Sequence, residues 1–325
     1  MWLTCSSVGR KFIMALTGAC LVLFLTFHCV MNAVCIVWPA AYNSICEFLG
    51  ANWYALIASA GLAVLFILHI CYAVWLTIQN RKARGEIRYS IERRPAGVEW
   101  SSQNMLILGF VVLAFLVVHL IQFWAKMQWV EIIGNHGTIP AVAGTLFIQE
   151  AFSQFWTIIV YIIAFIALWF HLQHGFWSMF QSVGWDNTTW IPRLKCIGNW
   201  WVSIVIALFV AQAIVFTVRA HENHYKTDPA LRAQYKAMLA PAFADAFGPD
   251  AAQAVEAAPY DQISAQIRQM EMQFNSDQAR AYNENNPKFE AQVHALESAV
   301  KLFDYLEEGT DKDAESDPMM MVQPQ

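Results

Sequence analysis

The chain has 325 residues, 57% of them hydrophobic and only 14% charged, with 14 Trp and 22 Phe. That balance excludes an ordinary soluble globular domain, and a formal net charge of -5 without a basic patch excludes a nucleic-acid partner. The composition is that of a membrane protein. Crossing a hydrocarbon core of about 30 Å takes about 20 helical residues. Stretches apolar enough to do so are predicted at 12–38, 53–78, 105–129, 152–180 and 197–218. The first is too long in its apolar part for a cleaved signal peptide and lacks a small-residue cleavage site, so it is read as retained.

Charge gives these five helices an expected direction. Arg10 and Lys11 precede the first, and the loop after the second holds Arg81, Lys82, Arg84, Arg88, Arg93 and Arg94, whereas residues 39–52 hold no Lys or Arg. Basic loops stay on the cytoplasmic side. The N-terminus is therefore expected in the cytoplasm, and the segment after Val218 in the periplasm of a bacterium, the membrane being its inner one. Residues 219–325 are a different material, with 9 basic and 18 acidic residues, against 11 and 7 in residues 1–218. Two domains are expected: 1–218, a five-helix transmembrane part, and 219–325, an acidic extramembrane tail. "PYDQISAQIRQMEMQF" and "NPKFEAQVHALESAVKLFDYLEEG" have helical periodicity, so the tail should hold two or three amphipathic helices before a loose "DPMMMVQPQ".

All seven cysteines precede residue 197, with no CxxC pair and no metal-ligand spacing, which leaves them as small apolar fillers. No phosphate loop or dinucleotide fingerprint is present.

Histidine is the residue type that stands out. His28, His69, His119 and the pair His171 and His174 fall within the apolar parts of the first four stretches, and the fifth has none before His221. At about 1.5 Å per residue, His28, 16 residues after Phe12, and His119, 14 after Met105, both lie in the outer half of the bilayer. The second and fourth helices run the other way. His69, 16 residues after Trp53, and His171, 19 after Phe152, lie in the cytoplasmic half. Two opposed imidazoles fill both axial positions of a low-spin haem, so two pairs at two depths suggest two stacked b-type haems in a four-helix bundle. The lack of CxxCH argues against covalent attachment. Gly18 and Gly109, each 10 residues before the histidine of their own helix, fall near the level of the other pair, and Gly61 toward the outer one. A single buried histidine is as readily an interhelical hydrogen-bonder or a proton-relay member. His136, His221, His224 and His294 are expected outside the membrane core.

At these residues the chain resembles a known family, the di-haem cytochrome b membrane anchors of succinate:quinone oxidoreductases. The family includes succinate dehydrogenases and quinol:fumarate reductases, and the likeness is to the type with one large anchor polypeptide. It covers residues 5–218 and rests on "GRKFIMALTG", "HCVMN" at His28, "LHICYAVW" at His69, "VVHL" at His119 and "FHLQHGFWSMFQSVGW". The family pattern of His, three residues, Gly, an apolar and an aromatic residue selects His171, with Gly175 and Trp177 following. The depth of His171 agrees, and His174 is the alternative ligand. The resemblance implies that His69 and His171 bind the haem nearer the cytoplasm and His28 and His119 the outer one.

The resemblance also implies partners, because the chain has no flavin or iron-sulfur motif of its own. A flavoprotein and an iron-sulfur subunit would dock on the cytoplasmic face, and the chain would carry electrons between them and menaquinone as part of an enzyme complex. The basic second loop with Arg193 and Lys195 would dock the iron-sulfur protein, meet haem propionates, or only fix topology. Quinone chemistry moves protons with electrons, and Glu47 in the apolar outer loop is the candidate carboxylate, ahead of Glu131 and Glu150. The acidic residue that some fumarate reductases place just before the fourth-helix ligand is missing, since Leu168, Trp169 and Phe170 precede His171. The tail is foreign to the family, and covering the outer face, contacting another complex or forming a homodimer are all open to it. The rival readings are the cytochrome b subunit of a formate dehydrogenase or hydrogenase, and a haem-free proton-coupled transporter.

Overall fold

A computed structural model describes residues 6–50, 52–84, 99–134, 137–283 and 286–310. Arg88, Arg93, Arg94, His136 and the "DPMMMVQPQ" end lie outside these residues. Everything regular among the described residues is helical. Five helices are long and apolar enough to cross a membrane: Ser7–Val37, Trp53–Ala83, Trp100–Ile133, Phe155–Ser182 and Trp190–His221. The chain is an all-α membrane protein with a helical C-terminal part.

The first crossing is α1 (Ser7–Val37), followed by a short α2 (Pro39–Gly50) and the second crossing α3 (Trp53–Arg84). The third starts as α4 (Trp100–His119), widens into a π-helix over Leu120–Trp129 and ends in α5 (Val130–Ile133). A π-helix bonds each N–H one residue further back than an α-helix does, so side chains beyond His119 rotate away from the α register. A short α6 (Gly144–Phe152) precedes the fourth and fifth crossings, α7 (Phe155–Ser182) and α8 (Trp190–His221). The crossings outrun their apolar stretches because polar caps and interfacial aromatics extend them. The Ser6 hydroxyl accepts the Gly9 N–H at 2.9 Å, an N-cap, and Trp100 and Trp190 are the first residues of the third and fifth.

Contacts divide the chain into two compact units. One takes in 1–37, 51–121 and 154–215, the other 38–50, 122–153 and 216–325, so far as these are described. In the first unit α1 packs along α3 and α7, and α4 along α7. The fifth crossing joins by polar contacts, with Gln212 Nε2 donating to the Cys29 carbonyl at 2.9 Å and Trp169 Nε1 to Ser203 Oγ at 3.2 Å. Gly198 is where α8 meets α7 closely, because a Cβ there would sit 2.5 Å from Phe176 Cδ1.

In the second unit the helices after α8 share a buried apolar core, while Trp38, Phe48, Trp129 and Ile133 of its earlier segments are exposed. Beyond α8 it contains α9 (His224–Thr227), α10 (Pro229–Ala237), α11 (Ala240–Phe247), α12 (Pro249–Ala257), α13 (Tyr260–Phe274), α14 (Asp277–Tyr282) and α15 (Pro287–Glu307). The expected two or three helices are thus seven segments, because prolines and caps interrupt the run. Asp228, Ser276 and Asn286 each accept a hydrogen bond from the first turn of the helix that follows, and proline takes the first position of α10 and α15. Leu296, Ala299, Leu302, Phe303 and Leu306 recur at helical spacing on α15 and are fully buried.

Helix ends buried in this unit find partners from a distance. Ala143 offers α6 no side-chain cap, and the buried Asn43 of α2 supplies it, its Oδ1 accepting the Thr145 N–H at 2.9 Å and hydroxyl at 2.8 Å. Asn43 Nδ2 donates to Gln234 at 3.0 Å, and Tyr235, 2.8 Å from the Thr145 hydroxyl, donates to the Tyr225 carbonyl. Gly144 permits the approach, since a Cβ there would meet Cys46 Sγ at 2.5 Å. The Cys46 thiol is pushed up to about 12 by burial and behaves as an apolar filler. Lys236, buried, donates to the carbonyls of Glu256 and Ala258 at the end of α12, which no helical N–H can satisfy.

Candidate functional site: two histidine pairs

Within the first unit, four histidines from four crossings meet in two pairs. The His28 and His119 rings lie 5.8 Å apart between centroids, at an interplanar angle of 86°. His69 and His171 lie 6.5 Å apart, at 61°. The grouping by depth, His28 with His119 and His69 with His171, is the one that residue counting along antiparallel helices gives.

Each pair is set by local helix geometry. Phe24 stacks on His28 and Phe115 on His119, each one turn earlier on the same helix, with centroids 5.5 and 5.7 Å apart. Residues at i and i+4 share a face, so these aromatics restrict the rings to one side. Across the bundle, the Tyr161 hydroxyl lies 3.1 Å from His119 Nδ1, and the Thr17 hydroxyl 3.2 Å from His69 Nδ1. His171 Nδ1 is buried without a hydrogen-bond partner among the described residues. Gly18 and Gly109 flank the second pair: a Cβ on Gly18 would sit 3.6 Å from His69 Cε1, and one on Gly109 3.7 Å from His171 Cε1. Those are contact distances, so any side chain longer than alanine would press on a ring. Gly61 has nothing within 4 Å of a Cβ position, so the space beside it is open.

His174 points into a different cluster. Its Nδ1 lies 3.3 Å from Glu99 Oε2, which also accepts from Trp177 Nε1 at 3.3 Å, while Lys195 Nζ donates to Glu99 Oε1 at 2.8 Å. The Lys195 ammonium also sits 4.0 Å above the Trp177 ring. Partial burial pushes the Glu99 carboxyl up. Hydrogen bonds from Lys195 and His174, the Lys195 charge and the Trp177 indole outweigh that and hold the carboxyl below the ordinary carboxylate range. A cavity of about 270 Å³ opens here between Glu99, Trp100, Phe170, Gln173, Trp177 and Lys195. Arg193 is exposed, with its guanidinium 5.5 Å from the Trp190 ring centroid.

The acidic candidates belong to the second unit. Glu47 and Glu131 are exposed, and Glu150 pairs with Lys126 at 2.7 Å. Among the described residues no hydrogen bond or ion pair joins any of the three to a histidine. Sequence reading missed Thr17, Tyr161 and Glu99. A hydroxyl in an apolar stretch was the available signal for the first two, and their partners lie 52 and 42 residues away.

Compared with known protein families, with curated proteins and with solved structures, the chain finds no match in any of the three.

The chemistry of the donor set is left to decide what the pairs can hold. Among the described residues no three His, Cys, Asp or Glu side chains gather as a metal site, and axial ligation of a haem needs only two. A metal–imidazole bond of about 2 Å, with nitrogen about 1.1 Å from the ring centre, puts the centroids of a bis-imidazole iron about 6.2 Å apart. The observed 5.8 and 6.5 Å bracket that value. Two imidazole pairs at this separation are compatible with axial ligation of two haems, and equally with ordinary ring contacts.

Proposed function

We propose that the chain is the membrane anchor and di-haem b electron-transfer subunit of a succinate:quinone oxidoreductase, linking menaquinone to the iron-sulfur subunit of a succinate dehydrogenase or fumarate reductase. The observation that carries this reading is the pairing of four intramembrane histidines from four crossings, at ligand spacing, at two levels. Ordinary ring contacts share that spacing. Two such pairs in hydrocarbon, where polar side chains are rare and functional, set this bundle apart. Bound haem would supply a one-electron carrier at each level.

What the chain itself contributes is orientation and exclusion. His28 and His119 would hold one group and His69 and His171 the other, with Phe24 stacked on His28 and Phe115 on His119. Glycine at 18 and 109 keeps bulk off the second pair. His174, engaged by Glu99, is not spent as a ligand. Lys195, neutralised by the same carboxylate, is a structural cation before it is a docking charge. Glu47, exposed on α2, is the carboxylate proposed to exchange protons with quinone. The charge pattern supports a cytoplasmic N-terminus in a bacterial inner membrane, with the flavoprotein and iron-sulfur subunits on that side.

Purified chain from haem-replete cells should show two low-spin b haems by reduced-minus-oxidised spectrum and pyridine haemochrome. Co-purification should bring a flavoprotein and an iron-sulfur protein. A molybdenum or nickel enzyme in their place would assign the chain to a formate dehydrogenase or hydrogenase. In the intact complex, Glu47→Gln should impair quinone turnover with both haems retained, and normal turnover would remove Glu47 from the scheme. The second reading, a haem-free proton-coupled transporter, is favoured by the Tyr161–His119–His28 series of proton-bearing groups. A folded chain without haem would favour it over the first.

A further inference from the structure

We propose that Thr17 is a positioning residue that fixes the tautomer of His69, keeping Nδ1 protonated so that Nε2 offers its lone pair to iron. This rests on the reading of His69 as a haem ligand.

A threonine hydroxyl has one proton and two lone pairs. Thr17 Oγ1 lies 3.0 Å from the Ile13 carbonyl oxygen and 3.1 Å from that of Met14, one turn back on α1. Both carbonyls lie nearer the hydroxyl oxygen than His69 Nδ1 does, at 3.2 Å, so we assign the hydroxyl proton to the backbone; Nδ1 then meets a lone pair and acts as the donor. Neutral imidazole carries one N–H, so Nε2 is left bare, the form a metal binds. Thr17 is 3% exposed, which leaves no bulk water to replace the hydroxyl. Gly18, the next residue, lies against Cε1 and Nδ1 of the same ring. One short segment of α1 thus holds the imidazole by its edge and by its proton.

The arrangement is one-sided. Within the same pair, His171 Nδ1 has no partner among the described residues, so Thr17 is the group that tunes this level from outside the ligand set. A hydrogen bond donated by the non-ligating nitrogen raises the basicity of the other and steadies the ring. More basic ligands favour ferric over ferrous iron. The haem at His69 should therefore have a lower midpoint potential than it would without the hydroxyl.

The test is Thr17→Val, which removes the hydroxyl but keeps the branch, beside Thr17→Ser, which restores it, each in the full chain with its haems. Potentiometric titration of the α band should resolve two components. In Thr17→Val one component should shift upward while the other stays, and retention of that haem should weaken about 10- to 100-fold. Thr17→Ser should return both values toward the parent. Unmoved potentials, both components moving together, or joint loss of both haems would overturn the proposal, the last because it marks a packing role. If the parent chain itself carries no haem, the functional reading falls and this inference with it. Parent haems with unmoved variant potentials would fail the inference alone.

Discussion

The two units of this chain bury different things. In the first, only 6% to 11% of the apolar stretch of the first three crossings is buried within the protein, and 33% of the fourth and fifth; most of that apolar surface faces outward, and polar groups, four histidines with Thr17 and Tyr161, meet on the inner faces. In the second, Leu231, Tyr235, Leu296, Leu302, Phe303 and Leu306 are 0% to 1% exposed, and charge lies at the surface apart from the buried Lys226 and Lys236. Burial of apolar area drives the second unit in water. Hydrocarbon offers no such drive between helices, so the first relies on close packing at residues such as Gly198 and on hydrogen bonds such as Gln212 to Cys29. The paired imidazoles are in the first unit, where burial keeps bulk water from competing for their nitrogens.

That contrast can be broken by variants placed on either side of it. The largest effect expected is at the pairs: His171→Ala should abolish one low-spin haem signal entirely, and His174→Ala should leave both. The opposite result would move the ligand to the Glu99 cluster. Next comes the core of the second unit, where Phe303→Ala should cost about 3–5 kcal/mol. It should appear as early proteolysis and melting of the helical tail in the full chain, with both haem spectra unchanged; loss of haem in this variant would mean that the two regions do not fold separately.

Asn43→Ala should cost about 1–3 kcal/mol, the price of leaving the Thr145 N–H and its neighbours unsatisfied, and should be read by the same melt. An effect near zero would show water reaching that network. The smallest effect is a titration. The Glu99 carboxyl sits below its ordinary value of 4.5, so its contribution is complete above that value and is lost as pH falls through the lower, folded one. Acid should therefore release Trp177 and Lys195 at a pH below the ordinary carboxylate value. The accompanying change in tryptophan emission should vanish in Glu99→Gln; a titration that survives the substitution would belong to another group.

How much of this could be read from residues alone differs by element. The five crossings are local properties, and residue counts along antiparallel helices suffice to place His28 with His119 and His69 with His171. Gly18 and Gly109 followed from the same arithmetic, whereas which way each ring turns did not, because depth fixes level but not rotation about the helix axis. The tail was harder. Its caps are written in "DPAL", "SDQA" and "NPKF", yet periodicity favoured two or three long helices where prolines divide the run into seven segments. Asn43 as a cap for α6 had no sequence signal, since the residues it joins are 102 positions apart.

Sequence by itself determined that this is a helical membrane protein, how many times the chain can cross, and which histidines share a level along antiparallel helices, because hydropathy and rise per residue are local quantities. Only the tertiary structure decided which hydroxyl meets which imidazole, that His174 is taken by Glu99, and that residues 38–50 and 122–153 share a unit with the tail. Those outcomes depend on helix rotation and on contacts between distant segments, and packing fixes both only after the chain has folded.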